Sequence, residues 1–124
     1  MKTRFEEKKQ DLINAHNRLQ EALSQPQNEF IRDSVIQRFE FCYEAAWKTM
    51  KLWLLTKDID ARNPKDVLKE ALVQNLINDG DNWTKAHYYR NSTSHTYDES
   101  LANETYNFIK NSASKLFADL IQKL

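Results

Sequence analysis

Arg90, His95 and Tyr97 stand close together in the stretch RNSTSHTY, residues 90–97, separated by small polar side chains. Histidine gives and takes a proton near neutral pH. Arginine holds a phosphate through two parallel hydrogen bonds and stabilises charge on a pentavalent phosphorus. Together they suit cleavage of RNA by its own 2′-hydroxyl, without a metal. Tyr97 adds a hydroxyl that can bind a phosphate or accept a transferred group. An unbroken helix turns about 100° per residue and would hold Arg90 and His95 about 140° apart. They converge only if the helix breaks, and Ser92, Thr93 and Ser94 favour a break because their hydroxyls compete for backbone groups. The stretch therefore reads as a helix end carrying Arg90, a polar turn, and a helix start carrying His95 and Tyr97. Free N–H groups at such a start attract phosphate. A structural reading stays open: Arg90 as a cap on its helix, His95 ahead of an N-cap, and Tyr97 packed on its neighbours.

The elements that must position these residues read as helices. Phe5, Leu12, Ala15, Leu19, Ala22 and Leu23 form one stripe at helical spacing, predicting a first helix over about 3–24. Pro26 ends it. A second helix is expected over about 29–57. Val35, Phe39, Tyr43, Ala46, Met50, Trp53 and Leu54 line one face, and Ile36, Trp47 and Leu55 widen it. So broad a stripe needs neighbours on more than one side, which makes this the central helix. Glu44 and Lys48 form an i,i+4 pair on it. Asn63 and Pro64 read as N-cap and first residue of a third helix, with Gly80 as its stop. A fourth should start near Asp81 or Asn82 and run to about Asn91, aligning Trp83, His87 and Arg90. Thr96 and Glu99 have capping-box spacing, predicting a last helix over about 97–124 with Thr96 as N-cap. The expected fold is all-α, an antiparallel up-and-down bundle of four to five helices in a single domain over 1–124.

Composition limits the chemistry. One Gly and two Pro among 124 residues agree with an all-α chain. Eighteen Lys plus Arg balance eighteen Asp plus Glu, which argues against a general nucleic-acid coat protein. A site for a single phosphate is still allowed. The segment MKTRFEEKKQDL has no apolar core and no apolar run is long enough for a membrane, so a cytoplasmic chain is expected. Cys42 and the three histidines lack metal-ligand spacing, so no metal is predicted. His87, one turn before Arg90, is a candidate supporting group for the site, though a satisfied, half-buried core histidine is the simpler reading. His16 reads as surface. Arg32, Asp33, Arg38 and Glu40 read as a solvated face, with a role at an interface as the alternative. Trp83, Tyr88 and Tyr89 are candidates for stacking bases, and packing explains them equally well.

The motif R-x4-H-x-Y, with polar Asn91 after Arg90, resembles the signature of the HEPN superfamily (higher eukaryotes and prokaryotes nucleotide-binding). Residues 32–51, RDSVIQRFEFCYEAAWKTMK, are similar to the corresponding helix of the nucleotidyltransferase substrate-binding protein family. NPKDVLKEA, residues 63–71, and the run from Trp83 to Tyr97 resemble that family too. The resemblance implies a helical homodimer with the motifs of both subunits facing one cleft. It also implies association with a minimal, MNT-type nucleotidyltransferase. Two functions come with it. One is a HepT-type ribonuclease toxin, silenced when the partner transfers AMP to Tyr97. The other is a non-catalytic subunit that binds nucleotide or substrate for the partner. In the first, Arg90 would stabilise the scissile phosphate, His95 would act as general acid or base, and Asn91 would orient one of them. No intrinsic cofactor is expected, since ATP and magnesium would belong to the partner. The chain has no glycine-rich phosphate loop and no G-S motif with paired aspartates, so it is not itself the nucleotidyltransferase. A plain helical interaction module is the third reading.

Overall fold

The computed structural model describes residues 1–92 and 98–124. Every regular element among them is a helix. Helix α1 spans Arg4–Leu23 and starts with a capping box. The Thr3 hydroxyl accepts from the Glu6 amide at 3.1 Å, and the Glu6 carboxylate accepts from the Thr3 amide at 3.3 Å. Helix α2, Glu29–Leu55, is capped by Asn28, whose side chain accepts from the Ile31 amide at 2.9 Å. Helix α3, Pro64–Val73, has the expected Asn63 cap and Pro64 in its first turn.

Two boundaries differ from expectation. Helix α3 stops at Val73, well before Gly80. Asn75 supplies the left-handed residue there, with φ of 60°. Gly80 instead opens helix α4, Gly80–Ser92. A Cβ at Gly80 would lie 3.3 Å from a Leu72 methyl, so the missing side chain lets α4 start close against α3. Asp79 caps α4, accepting from the Asn82 amide at 3.2 Å. The second difference is the last helix. Helix α5 spans Glu99–Phe108 and its cap is Asp98, which accepts from the Leu101 amide at 3.1 Å. Thr96, the expected cap, lies outside the described residues. A wide π turn, Ile109–Ala113, leads into helix α6, Ser114–Lys123. The turn keeps Ile109 and Ala113 both buried, so the chain continues with its apolar face still inward.

Helix α2 runs through the middle of an antiparallel bundle. Arg4 lies in one hollow with Leu55, while Arg38 donates to the Arg18 carbonyl at 2.7 Å, so α1 and α2 run in opposite directions. Tyr89 pairs with Glu104 and Trp83 with Phe117, so α4 and α5–α6 are also antiparallel. Phe39, Trp83 and Phe117 meet at the centre, with ring centroids 6.0 and 5.9 Å apart. Removing one such ring typically costs about 3–5 kcal/mol, several times a single net hydrogen bond. Apolar packing therefore sets the arrangement. Trp47 and Trp53 pack partly buried against this core, whereas Leu55 is exposed.

His16 is not a surface residue. It is partly buried, and its Nε2 donates to the Ser114 carbonyl at 3.1 Å, pinning α1 to the end of the π turn. Burial lowers its pKa from 6.5, with the Ser114 bond opposing. Folding therefore favours neutral His16. Its contribution is present above the unfolded pKa and is lost as pH falls below it through the lowered folded pKa. We expect His16→Gln to flatten the dependence of Tm on pH between about 5 and 7.5. Equal slopes for the two proteins would contradict this.

Candidate functional site

Arg90 and Asn91 occupy the last turn of α4, and helix α2 orients both. Glu44 Oε1 accepts from Arg90 Nε at 3.2 Å and lies 3.1 Å from Arg90 Nη2. Glu44 Oε2 accepts from the Trp47 indole at 3.1 Å, so the carboxylate is itself held. Lys48 is only 3.8 Å away, a weaker contact than the pair with Arg90. The guanidinium is partly exposed and fixed in direction, as a phosphate-binding group must be.

Asn91 is held through His87. The Tyr43 hydroxyl lies 2.7 Å from His87 Nδ1, and Asn91 Nδ2 lies 3.2 Å from His87 Nε2. An amide nitrogen only donates, so Nε2 accepts and Nδ1 carries the proton, which it gives to the Tyr43 oxygen. Burial, with the charge of Glu44, keeps the Tyr43 phenol well above its ordinary pKa, and Arg90 opposes this. The phenol therefore stays neutral. His87 is half-buried with both ring nitrogens engaged, and Asn91 turns its amide oxygen away from them.

On the far side of residues 93–97, α5 is tied to α2 by Arg32. This residue is only 4% exposed, so the solvated-face reading fails for it. Arg32 Nη1 and Nη2 donate to the two Glu99 oxygens at 2.6 and 3.3 Å, Nη1 also to Asn103 at 3.2 Å, and Nε to Asp33 at 3.0 Å. The bond from Arg32 holds the Glu99 carboxyl below its ordinary pKa. Glu99 is thus neutralised locally and opposes an incoming phosphate less than its sequence position suggests.

His95 and Tyr97 lie outside the described residues. Trp83 is buried and unavailable for stacking, and Tyr89 donates to Glu104 at 2.7 Å while packing on Phe108. Tyr88 is exposed. Sequence reasoning missed Tyr43 and Glu44. Tyr43 passed for a core aromatic and Glu44 for an i,i+4 partner of Lys48. The available signal was a carboxylate set within a broad apolar stripe.

These features define a small helical-bundle protein with an oriented arginine and asparagine at the end of its fourth helix. Among known families, residues 7–124 match the one described as nucleotidyltransferase substrate binding protein like, and the chain belongs to that family. The description associates the family with nucleotidyltransferases. A Haemophilus influenzae protein named Probable ribonuclease HepT is 46% identical over 76 residues, which is 57% of this chain and 52% of that protein. The match therefore spans about half the length of that relative. The Haemophilus influenzae structure of HI0074 superposes with a TM-score of 0.80 at 32% identity, covering 93% of this chain and 97% of that one. It is described as revealing the fold of a substrate binding domain of a nucleotidyltransferase. A crystal structure from Thermus thermophilus gives a TM-score of 0.84 at 27% identity, with 90% and 97% covered. No described helix is long and apolar enough to cross a membrane.

Tyr43→Phe keeps the ring and removes only the hydroxyl. It should lower stability by about 0.5–1.5 kcal/mol. It should also shift the His87 ring nitrogens in 15N NMR as the fixed tautomer is lost. Unchanged nitrogen shifts would mean that Tyr43 does not set the tautomer.

Proposed function

We propose that this chain is a HEPN-type ribonuclease that pairs with a minimal nucleotidyltransferase. The observation that carries this reading is the Arg90–Asn91 pair at the end of α4, held by Glu44 and His87. It directly precedes the rest of the R-x4-H-x-Y motif in the sequence. The relative named as a probable ribonuclease adds support.

In this reading a base removes the proton from an RNA 2′-hydroxyl, and the oxygen attacks the neighbouring phosphorus. The bond to the 5′-oxygen breaks and that oxygen leaves with a proton. The products are a 2′,3′-cyclic phosphate and a 5′-hydroxyl. His95 serves as general acid or base, and Arg90 stabilises the charge that builds on the phosphorus oxygens. The internal hydroxyl is the nucleophile, so the step requires no metal. The active form is a homodimer with the two motifs facing one cleft. Its partner supplies ATP and magnesium for silencing. The Tyr97 oxygen attacks the α-phosphorus of ATP, pyrophosphate leaves, and the phenol proton passes to solvent. The attached AMP places a bulky anion two residues from His95 and repels RNA phosphate.

RNA cleavage in the presence of chelator should fall at least about 100-fold in His95→Ala and in Arg90→Ala, the scale of lost acid–base or electrostatic catalysis. Cleavage that persists unchanged in both variants would sink the ribonuclease. Intact mass after incubation with the partner, ATP and magnesium should rise by one or more AMP units. Tyr97→Phe should abolish that gain. The second reading, a non-catalytic subunit binding nucleotide or substrate for the partner, draws on the likeness to HI0074. Saturable nucleotide binding with no RNA turnover would favour it.

A further inference from the structure

We propose that the groove between the start of α1 and the end of α2 binds single-stranded RNA and leads it towards Arg90, an inference that rests on the ribonuclease reading. The groove encloses about 350 Å³. Arg4, Lys8, Lys48 and Lys51 line it together with partly buried Trp47, and no acidic residue does. In a chain with 18 basic and 18 acidic residues, this is a local concentration that net charge conceals.

The groove continues into a second hollow of about 250 Å³ that shares Lys8 and Lys48 and reaches Phe41 and Glu44. Glu44 is the carboxylate that holds Arg90. Its other oxygen holds the Trp47 indole, so the basic groove and the phosphate-binding arginine are joined through one side chain. A strand lying along α2 thus meets cations first, then an indole on which a base can stack, then Arg90.

Two acids oppose this. Asp11 lies 3.7 Å from Lys8, and Glu44 lies 3.8 Å from Lys48. Both lysines are partly exposed, and such pairs hold weakly and exchange readily for phosphate. Among the described residues, Arg4 and Lys51 are within ion-pair distance of no acid. Asp60, whose charge Lys51 senses, is already paired with Arg62 at 2.9 Å. An acidic peptide also answers a basic groove. The stacking surface and the link to Arg90 favour a nucleic-acid backbone.

The test uses the protein carrying His95→Ala, so that a fluorescein-labelled single-stranded RNA stays intact. Binding is followed by anisotropy across a salt series. Each lost phosphate contact lowers the slope of log K against log salt by about 0.7 for single strands, so Arg4→Gln with Lys51→Gln should lower it by about 1.4. The same pair should weaken binding about tenfold at moderate salt. Lys115→Gln, on the exposed side of α6, should change neither. In the cleaving enzyme the double variant should raise KM and leave kcat intact. Unaltered affinity and slope in a double variant that melts like the parent would overturn the groove, while the parent's RNA cleavage would still stand. Salt-dependent RNA binding through these residues, with no cleavage by the parent, would keep the groove and remove the ribonuclease. Weaker binding of the nucleotidyltransferase with unchanged RNA affinity would assign this face to protein and overturn the proposal.

Discussion

An arginine left only 4% exposed cannot leave its guanidinium unpaired, and the architecture around Arg32 answers that demand. Two carboxylates and an amide converge on it, and two of these three groups come from the first turns of α5. The start of α5 is therefore fixed against the start of α2. At the other shoulder, Glu44 of α2 fixes the end of α4 through Arg90. The two α2 residues are twelve positions apart, about 18 Å along the axis. One rigid helix thus holds both ends of the chain that flank residues 93–97. Apolar packing makes α2 rigid, and these two ion pairs pass that rigidity to the candidate site.

The same helix explains why a neutral chain can present a cationic surface. Its charged positions are sorted along its length. Arg32 and Glu44 are used internally against α5 and α4. Lys48 and Lys51 face outward beside the N-terminal turns of α1, where antiparallel packing brings Arg4 and Lys8 to join them. Several of the acids that balance the count are already committed: Glu6 and Asp98 in helix caps, Glu99 to Arg32, Asp60 to Arg62. Net charge measures the sum, whereas binding responds to the arrangement.

The histidines show how burial sorts one residue type into different roles. His16 serves as a neutral donor joining α1 to the π turn. His87 has both nitrogens committed between Tyr43 and Asn91, so it orients its neighbour. His95, the histidine that the function proposed above needs, stands in the least helix-forming part of the sequence. A group that must meet a substrate is better placed there than in a packed stripe.

The helical class, the central place of α2 and three of the helix starts were legible in the order of residues alone. Those follow from local rules: apolar spacing at 3.6 residues per turn, and at Asn63 and Pro64 a side chain that satisfies a free backbone amide followed by a residue that has none. The polar stretch 90–97 was likewise marked as the chemically unusual one. The stop of α3 at Val73 and the π turn were not legible, because each answers a packing need between elements. Likewise Gly80 looked like a helix stop and serves instead as a close contact with Leu72. The packed fold was needed to show that Arg32 is buried, that Glu44 pairs with Arg90 as well as with Lys48, and that Tyr43 supports His87. The pairings between helices join residues 44 to 67 positions apart in the sequence. No local pattern encodes such contacts, since they depend on how the helices cross and which polar groups must be satisfied where they meet.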